Sequence, residues 1–596
     1  MLSLAQDTPG GIRNVKRDQL LGTFDPHAFI PQGVSLDGGR VAAGKRVSQM
    51  RTIIVGAVAG GMSAATRLRR LDPTADIVVF ERGNHVSYAN CGLPYHVGGV
   101  ITDREALLLQ TPASLRARFD LDVRVRTEVV AIDRARQVVR VREVDGGREH
   151  EEGYDRLVLS PGAAPIVPDL PGIERAFTLR TVTDADRLTT VLADRQPRTA
   201  VVVGGGFIGL ESAENLRRRG LAVSLVELDT QVLAPLDPEM VSPVHAELRR
   251  HGVALHLGAA LTKVLPDAVE LAGGQILSAD LVLLAIGVRP ETTLALAAGL
   301  TIGPRGGITV DASMRTNDPH IYAIGDAVEK TDRIGAEPAL IPLANTANRQ
   351  GRLAADAITG KTVTLSRRLG TAIVQIFDLT VAVTGWNEKR LRAAGRTYQA
   401  IHTHPASHAG YYPGAQPMSL KLLFDPHDRR ILGAQAVGGE GVDKRIDVLA
   451  TAIHAGLTAD ELADLELAYA PAFGSAKDPI NMLGYIADNL LTDGQRTLQW
   501  HELSGALAAG AALVDVRTPA EHAAGHIPGS INLPLDDLRH RLDELPTGDL
   551  IVYCQVGQRG HTATALLTGL NRRATNLDGG YRTWHAGQGS DDSAAL

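Results

Sequence analysis

Cysteine is scarce in this 596-residue sequence, which contains only Cys91 and Cys554. The two are far apart and neither belongs to a C-x-x-C pair, so they indicate reactive thiols rather than a framework of structural disulfides. No apolar run approaches the ~20 residues that cross a bilayer, and no signal-peptide pattern opens the chain. A strong charge imbalance is also lacking, because 61 Lys and Arg oppose 67 Asp and Glu. These absences predict a cytoplasmic protein with no nucleic-acid or membrane partner.

A dinucleotide-binding pattern begins just after residue 50. Residues 52–61 combine a short β-branched run, typical of a buried strand, with the glycine-rich sequence GAVAGG. A helical pattern follows over residues 62–71, and a second strand, residues 76–80, ends at Glu81. Glycines let the backbone approach a pyrophosphate at a helix N-terminus, and the acidic side chain accepts hydrogen bonds from ribose hydroxyls. Val58 stands where the middle glycine of G-x-G-x-x-G belongs.

The helix predicted over residues 62–71 has two different faces. At ~100° per residue its small and apolar side chains share the side that faces the sheet. Ser63, Arg67 and Arg70 cluster on the opposite side. A solvent-exposed basic face is the ordinary interpretation of such a cluster, and a ligand-binding face is the alternative.

A second and complete unit of the same kind follows. A predicted strand precedes the full G-x-G-x-x-G of residues 204–209, and the next strand, residues 222–226, ends at Glu227. A carboxylate at that position favours free ribose hydroxyls and repels a 2′-phosphate, so we expect NADH to be preferred to NADPH. Two such units in one chain predict a protein that holds two dinucleotides.

The sequence IYAIGDA closes a short predicted strand on Gly325 and Asp326. The aspartate can accept hydrogen bonds from the ribitol hydroxyls of a flavin, and the helix N-terminus that follows favours its pyrophosphate. An ordinary Gly-Asp turn is the alternative. The first unit upstream favours the flavin interpretation.

Five motifs together resemble the coenzyme A-disulfide reductases and their relatives, the NADH-dependent persulfide reductases and NADH oxidases. They lie within about residues 50–490 and read GAVAGG, SYANCGLPY, GGGFIGLE, YAIGDA and AYAPAFGSAKDPIN. The chain from residue 513 to residue 560 resembles a rhodanese, with LVDVRTPAEHAAGHIPGSINLPL and the cysteine loop IVYCQVGQRG. The resemblance implies an α/β fold with two Rossmann-like dinucleotide-binding domains for FAD and NADH, a mixed α/β dimerisation domain, and a small α/β rhodanese domain.

The length and an apolar fraction of 44% support several domains, each with its own core. The expected segments are 1–49, a disordered N-terminal extension; 50–165 and 301–368, the two parts of the FAD-binding domain; 166–300, the NAD-binding domain; 369–490, the dimerisation domain; and 498–590, the rhodanese domain.

The single cysteine of SYANCGLPY sets the expected chemistry. Classical glutathione-reductase relatives carry a C-x4-C redox disulfide, whereas here Ala89 and Asn90 precede Cys91 alone. With no resolving thiol nearby, Cys91 must form its disulfide or persulfide with the substrate itself. In the family this cysteine lies beside the flavin, and electrons pass from NADH through FAD to the sulfur.

The resemblance implies three sets of site residues and no metal site. The catalytic set comprises the two cysteines and tyrosines that reach the site from the partner subunit of an obligate homodimer: Cys91, Cys554, Tyr411, Tyr412 and Tyr469. The cofactor-binding set is Gly56, Val58, Ala59, Gly60, Gly61, Glu81, Arg82, Gly204, Gly206, Gly209, Glu227, Gly325 and Asp326. The substrate-binding set, placed around coenzyme A except for the last member, is Ser63, Arg67, Arg70, Ser87, Asn90, Asn348, Lys477 and Arg559.

Cys554 ends a predicted strand and opens a loop that leads into a helix. Successive backbone N–H groups and the helix dipole in such a loop lower a thiol pKa and hold an anionic persulfide. Arg559 follows five positions later. A buried, inert cysteine is the alternative.

The sequence therefore predicts a homodimeric FAD enzyme that uses NADH, with NADPH as a weaker donor, to reduce coenzyme A persulfide, polysulfide or coenzyme A disulfide. Cys91 is the expected redox nucleophile, and Cys554 the expected carrier of sulfane sulfur. One rival is an NADH oxidase in which Cys91 cycles through a sulfenic acid. Another is a redox-sensing or sulfur-trafficking protein whose turnover is incidental.

Overall fold

The structure, a computed structural model, describes residues 50–492 and 494–589. The N-terminal extension expected over residues 1–49 lies outside this part of the chain. No helix within the described ranges has both the length and the apolar character needed to cross a membrane.

The first α/β unit is built on a five-stranded parallel sheet. One face of the sheet packs against helices and the other against a small antiparallel sheet, so its strands are apolar on both faces. In spatial order the strands are Ile321–Ala323, Arg156–Leu159, Arg51–Val55, Asp76–Phe80 and Asp122–Arg124. The helices are Ala59–Leu71, Leu93–Val97, Pro112–Phe119 and Ala344–Ile358, and the antiparallel strands are Thr127–Asp133, Val138–Glu143 and Glu149–Gly153.

The first helix begins at Ala59, three residues before the predicted start at residue 62. The glycines of the preceding turn explain this early start. Gly56 has a φ of +96°, and a Cβ on it would lie 2.1 Å from the carbonyl oxygen of Ser160. A Cβ on Gly61 would lie 1.9 Å from the oxygen of Gly56, so the helix can begin this close to the sheet only with glycine there.

The second α/β unit interrupts the first and has a four-stranded parallel sheet. Its strands, in spatial order, are Val253–Leu257, Ala222–Glu227, Thr199–Val203 and Leu281–Leu284. Its helices are Val182–Arg195, Phe207–Arg218 and Pro238–Arg250, and a three-stranded antiparallel sheet adds Leu261–Val264, Ala268–Leu271 and Ile276–Ser278. Two short segments connect the second unit to the first: the strand pair Ala163–Pro165 and Val288–Pro290, and the helix Thr293–Ala297. The first unit also contains a hairpin of the strands Lys330–Thr331 and Pro338–Ala339.

An antiparallel five-stranded sheet forms the third unit. Its strands, in spatial order, are Ala372–Ile376, Leu379–Gly385, Ile431–Gly438, Met418–Phe424 and Gln399–Thr403. The helices are Glu388–Ala393, Val442–Ala455 and Pro479–Leu491, of which the last two pack on one face of the sheet.

A five-stranded parallel sheet forms the last unit. In spatial order its strands are Thr497–Leu498, Ala574–Leu577, Leu550–Tyr553, Ala512–Asp515 and Ile531–Asn532. Its helices are Leu503–Ala508, Pro519–Ala523, Leu535–Leu538, Gln558–Gly569 and Gly580–Gly587. Separate apolar clusters cover its two faces.

Candidate functional site

Cys91 lies where the first two units meet. It belongs to the single helical turn Asn90–Gly92, which leads directly into the helix Leu93–Val97. This segment packs against the helix Phe207–Arg218 so closely that a Cβ on Gly98 would be 2.0 Å from the Oδ1 atom of Asn215. The second unit therefore forms one wall of the Cys91 site.

Charge and desolvation both act on the Cys91 thiol. Cys91 is exposed in the single chain, but neighbouring protein desolvates its sulfur. This desolvation first, and then the negative charges of Glu211 and Asp326, raise the pKa of the thiol. The Tyr95 hydroxyl donates a hydrogen bond to Glu211 Oε1 at 3.1 Å, and burial raises the pKa of that carboxyl. A nucleophilic thiolate at Cys91 consequently requires compensating donors or positive charge.

The first glycine loop fits a dinucleotide. The helix N-terminus opens at Val58, and Ala59 begins the helix. Glu81, at the end of the next strand, accepts a hydrogen bond from the Ala57 N–H at 2.8 Å, so its carboxylate lies against the loop. Arg82 beside it is exposed. An acidic side chain at the mouth of a tight glycine turn is a hydrogen-bond acceptor suited to the ribose hydroxyls in the adenosine half of FAD.

The second glycine loop fits as well. Gly204 has a φ of +107°, and a Cβ on Gly209 would lie 1.9 Å from the Gly204 oxygen. Gly206 faces open space, since no heavy atom lies within 4 Å of a Cβ built on it. Glu227 accepts hydrogen bonds from the N–H groups of Gly205 at 2.6 Å and Asp229 at 2.9 Å. This loop leaves room for a pyrophosphate and places a carboxylate at its side.

The face of the first helix that carries Ser63 and Arg67 is partly covered by the helix Ala344–Ile358. Ser63 Oγ donates to the Oδ1 atom of Asn348 at 2.8 Å. Arg67 pairs with Asp356 at 2.7 Å, and both side chains are largely buried. The ordinary interpretation of this face as solvent-exposed is therefore wrong for Arg67. Arg70 is exposed, and it has no hydrogen-bond or ion-pair partner within the described ranges 50–492 and 494–589.

The loop between Glu81 and Cys91 brings Ser87 and Asn90 to the same region. The N–H of Ser87 donates to the carbonyl of Ala57 in the first glycine loop at 2.8 Å. The Asn90 amide lies between the Tyr88 carbonyl and Arg180, and with its oxygen towards Arg180 it accepts a 2.7 Å hydrogen bond. Ser63, Ser87, Asn90 and Asn348 thus all lie close to the first glycine loop or to Cys91.

The turn of Gly325 and Asp326 is held from two sides. The Gly325 N–H donates to Gln350 Oε1 at 2.9 Å, and the Lys330 ammonium donates to the Gly325 carbonyl at 2.6 Å. Burial lowers the pKa of Lys330 to about 8. Because the charge of Asp326 acts on Cys91, the turn is within electrostatic reach of the thiol. The second segment of the first unit therefore contributes to the same site.

The tyrosines and Lys477 lie on two loops of the third unit. The hydroxyls of Tyr411 and Tyr469 are 2.9 Å apart, and both rings are exposed, as are Tyr412 and Phe473. Lys477 is exposed beside buried Asp478, whose carboxylate is bonded to Arg445 at 2.9 Å and anchors the loop. No hydrogen bond or ion pair in the described part of this one chain joins these loops to Cys91. An exposed aromatic group of this kind is typical of an interface.

Cys554 lies at the end of the strand Leu550–Tyr553 and is fully buried. Two backbone N–H groups clamp its loop, those of Tyr581 to the Cys554 carbonyl at 2.8 Å and of Arg582 to the Gln555 carbonyl at 3.0 Å. The helix that follows the loop begins at Gln558. The burial of Cys554 fits the alternative in which this cysteine is inert. The loop and the helix N-terminus fit a cysteine that carries an anionic persulfide.

Arg559, expected to contact substrate, forms a two-pronged ion pair with Glu521. Its Nη2 and Nη1 atoms lie 2.5 and 2.8 Å from the two carboxylate oxygens. The hydrogen bonds from Arg559 lower the pKa of Glu521 to about 2. The guanidinium is thus already neutralised in this structure, so any anion must share it with Glu521.

Two side chains of the Cys91 region were not assigned from the sequence. Glu211 belongs to GGGFIGLE, and Lys330 follows Asp326 by four positions. The motif contains Glu211, and Lys330 lies three residues after YAIGDA, but only the packing of the two units brings the charge of Glu211 close enough to act on the cysteine.

Family models match three stretches of the chain. The pyridine nucleotide-disulphide oxidoreductase model matches residues 50–351, its dimerisation domain matches residues 371–478, and the rhodanese-like domain matches residues 499–587. The chain belongs to the pyridine nucleotide-disulphide oxidoreductases and is therefore an oxidoreductase enzyme. The predicted fold class is confirmed, with two Rossmann-like domains, a dimerisation domain and a rhodanese domain.

Similarity to individual proteins is high over nearly the whole chain. A coenzyme A disulfide reductase of Staphylococcus aureus is 37% identical over 440 residues, which is 73% of this chain and 99% of that protein. The reduced Bacillus anthracis CoADR-RHD is 47% identical with a TM-score of 0.90, covering 91% of this chain and 99% of that one. A NAD-dependent persulfide reductase from A. fulgidus is 36% identical with a TM-score of 0.84, covering 90% and 100%. The predicted resemblance is confirmed, and the chain is a flavin-dependent disulfide or persulfide reductase by class.

Proposed function

We propose that this enzyme uses NADH and FAD to reduce coenzyme A persulfide, polysulfide or coenzyme A disulfide through Cys91 alone, and that Cys554 supplies sulfane sulfur. The observation that carries the proposal is an accessible thiol at Cys91, between the two glycine loops, in a chain whose other cysteine lies in the rhodanese domain. Without a resolving thiol nearby, the substrate must provide the second sulfur. The similarity to a coenzyme A disulfide reductase and to a persulfide reductase supports the disulfide and persulfide as substrate classes.

The chemistry at Cys91 is thiol–disulfide exchange. Its thiolate attacks one sulfur of coenzyme A disulfide, which forms a mixed disulfide and releases one coenzyme A thiolate. Two electrons and a proton then restore the thiolate and release the second coenzyme A. FAD, when bound, supplies those electrons from NADH. With a persulfide the same attack on the outer sulfur leaves a Cys91 persulfide, whose reduction releases hydrosulfide.

The match to a dimerisation domain supports a homodimer. In this dimer the two loops that carry Tyr411 and Tyr469 would complete the Cys91 site of the partner subunit. The hydroxyl pair of Tyr411 and Tyr469 is exposed and pre-bonded, so it can donate a hydrogen bond to a thiolate. A hydrogen bond to the thiolate favours the charged form of Cys91, which counteracts the desolvation and negative charge that raise its pKa. Lys477 on the neighbouring loop adds a cation suited to a phosphate of coenzyme A.

The substrate experiment is anaerobic NADH consumption with coenzyme A persulfide, with sulfide measured in parallel. We expect one sulfide per NADH, and one NADH per coenzyme A disulfide when that acceptor replaces it. Turnover with oxygen alone, and none with sulfur acceptors, would instead support the oxidase. Absence of turnover with every acceptor would support a sensor or sulfur-trafficking protein.

The Arg70→Ala variant should weaken coenzyme A binding. Arg70 is exposed and unpaired among the described residues, so its loss removes a phosphate contact without breaking the Arg67–Asp356 pair. We expect the KM for coenzyme A disulfide to rise roughly three- to tenfold, with the KM for NADH unchanged. Arg118→Ala, an exposed arginine of the same domain, serves as the control. An unchanged KM in Arg70→Ala would contradict a role in coenzyme A binding and would favour the interpretation of Arg70 as part of a solvent-exposed basic face.

The Glu227→Gln variant should reduce the preference for NADH. Glutamine keeps the size of the side chain that accepts from Gly205 but removes the charge that repels a 2′-phosphate. We expect the wild-type kcat/KM to favour NADH by roughly tenfold or more, and the variant to lose most of that ratio. Asp267→Asn, an exposed acid of the same domain, should leave the ratio unchanged. Equal kcat/KM for the two nucleotides in the wild type would contradict the role of Glu227.

A further inference from the structure

A buried network of charges joins the rhodanese domain to the rest of the chain. Glu239, from the helix Pro238–Arg250, accepts hydrogen bonds from His402 of the antiparallel sheet at 3.0 Å and from Trp500 of the rhodanese domain at 3.1 Å. Lys421 forms ion pairs with Glu239, with Asp237 at 2.9 Å and with Glu388 at 3.1 Å. The charged side chains of this network are nearly inaccessible to solvent.

His402 is bound by carboxylates at both ring nitrogens. Its Nδ1 atom lies 2.7 Å from Asp578 and its Nε2 atom 3.0 Å from Glu239. Neither ionised carboxylate can donate, so both nitrogens must, and only the charged imidazolium has two N–H groups. The His402 backbone N–H also donates to Asp578 at 3.0 Å. The antiparallel sheet thus holds Asp578 through both a side chain and a main-chain group.

Asp578 is directly connected to the cysteine loop. It is followed by Gly579 and Gly580, both with positive φ, and a Cβ on Gly580 would lie 2.4 Å from the carbonyl oxygen of Cys554. The next N–H, that of Tyr581, donates to the same oxygen at 2.8 Å. The turn that begins at Asp578 therefore forms the clamp on the Cys554 backbone.

Within the rhodanese domain the Asp578 N–H donates to the Leu498 carbonyl at 3.0 Å. The Asp578 carboxylate also accepts from Gln499 at 3.2 Å, and Gln499 itself donates to the Ala400 carbonyl of the antiparallel sheet. A second contact across the same boundary joins His404 to Thr583 at 2.8 Å. The position of the turn is therefore set by the antiparallel sheet and not by the rhodanese domain alone.

We infer that His402 is a positioning residue for Cys554: by holding Asp578 it fixes the turn that clamps the cysteine loop, so sulfur transfer depends on contact between the rhodanese and dimerisation domains. This inference rests on the proposed role of Cys554 as a sulfur carrier. It goes further, because it makes a residue of the reductase part a determinant of the sulfurtransferase reaction.

The charges around His402 predict a pH dependence. Burial by itself lowers the pKa of His402, and Lys421 also opposes its charge, but hydrogen bonds and charge from Asp578 and Glu239 outweigh both and raise the pKa to about 9. Other titratable groups that lie around it are Asp237, Glu388, His404 and Arg582. Because the folded pKa exceeds the unfolded value of about 6.5, the stabilisation that the charge of His402 adds to the contact is fully present below pH 6.5 and is lost as the pH rises through about 9.

The test compares His402→Gln, Asp578→Asn and the double variant in the full-length, FAD-loaded protein. Sulfur transfer is measured as thiocyanate formed from cyanide with thiosulfate, and separately with glutathione persulfide, as donor. We expect each single variant to lower kcat for transfer about tenfold or more, and the double variant to lose no more than either single one, because the two side chains act as one unit. Coenzyme A disulfide reduction and FAD content should stay within twofold of the wild type.

The pH profile separates positioning from general loss of stability. The ratio of wild-type to His402→Gln transfer rates is expected to fall towards one as the pH rises past about 9, which also cancels the ionisation of cyanide. His251→Gln is the matched control, because His251 lies at the boundary between the second and third units, where its ring stacks on Phe377 and, among the described residues, forms ion pairs with Glu247 and Asp378 and none with the rhodanese domain. This control should transfer sulfur at the wild-type rate.

The possible outcomes are distinct. Wild-type transfer rates in both single variants would overturn the inference and leave the proposed function intact. Additive losses in the double variant would also overturn it, because independent effects exclude a shared contact. A wild-type enzyme that transfers no sulfur would overturn the carrier role of Cys554 and this inference with it. If His402→Gln fails to bind FAD, Asp578→Asn, which alters only the rhodanese side, decides the question.

Discussion

Replacing Cys91 with serine is expected to lower anaerobic reduction of coenzyme A disulfide and persulfide by roughly 10³-fold or more. Cys91 is the only cysteine outside the rhodanese domain, and a serine hydroxyl cannot form a disulfide or persulfide with substrate. In the structure the thiol is accessible and within electrostatic reach of Glu211. The serine variant changes only the sulfur atom and leaves the rest of this site as it is. The measurement is NADH oxidation with each sulfur acceptor at saturating concentration.

FAD content provides the control for folding in this experiment. We expect the glycine loop and Glu81, which lie against each other, to hold FAD without help from the thiol, so FAD bound per chain should match the wild type. A Cys91→Ser enzyme that keeps more than a tenth of the wild-type rate with coenzyme A disulfide would show that sulfur reduction bypasses this residue. The mechanism proposed for Cys91 would then be wrong.

Replacing Cys554 with serine should separate the two activities of the chain. We expect sulfur transfer from thiosulfate or glutathione persulfide to cyanide to fall to the background rate, a loss of roughly 10³-fold or more. Reduction of preformed coenzyme A disulfide should remain within twofold, because that reaction needs only Cys91. The buried position of Cys554 makes this test decisive, since an inert structural cysteine would give the same transfer rate as serine.

The matched control for Cys554→Ser is Cys91→Ser in the same transfer assay. It should transfer sulfur to cyanide at the wild-type rate. Each variant is therefore expected to lose one activity and to keep the other. If Cys554→Ser instead reduced coenzyme A disulfide as poorly as Cys91→Ser does, the two cysteines would act as one redox pair. Transfer by Cys554→Ser at the wild-type rate would favour the inert alternative.

Much of the fold was predictable because it is encoded locally. The two glycine loops follow β-branched strands and end at Glu81 and Glu227, and each glycine with positive φ meets a steric demand that only glycine satisfies. The start of the first helix was misplaced, at residue 62 instead of Ala59, because glycines weaken a helical pattern in sequence. In the structure Gly60 and Gly61 are part of the helix, and glycine is required at position 61 because a Cβ there would lie 1.9 Å from the Gly56 oxygen.

The partners of charged residues were much harder to predict. The sequence placed Arg67 on an outward face of its helix, but its carboxylate partner, Asp356, lies 289 residues later. In the same way, Arg559 was assigned to substrate, whereas the fold brings Glu521 against it. Ion pairs between distant residues depend on how separate elements pack, and residue periodicity contains no information about that packing.

The sequence by itself determined the class of enzyme, the two nucleotide loops and the presence of a single thiol at Cys91, because each depends on residues that are close together in the chain. Only the tertiary structure decided what surrounds the two cysteines. It placed Glu211 beside Cys91, and it joined His402 to Asp578 across 176 residues. Both contacts form where separate units meet, so the identity of the neighbour follows from the packing of buried surfaces and not from any local pattern.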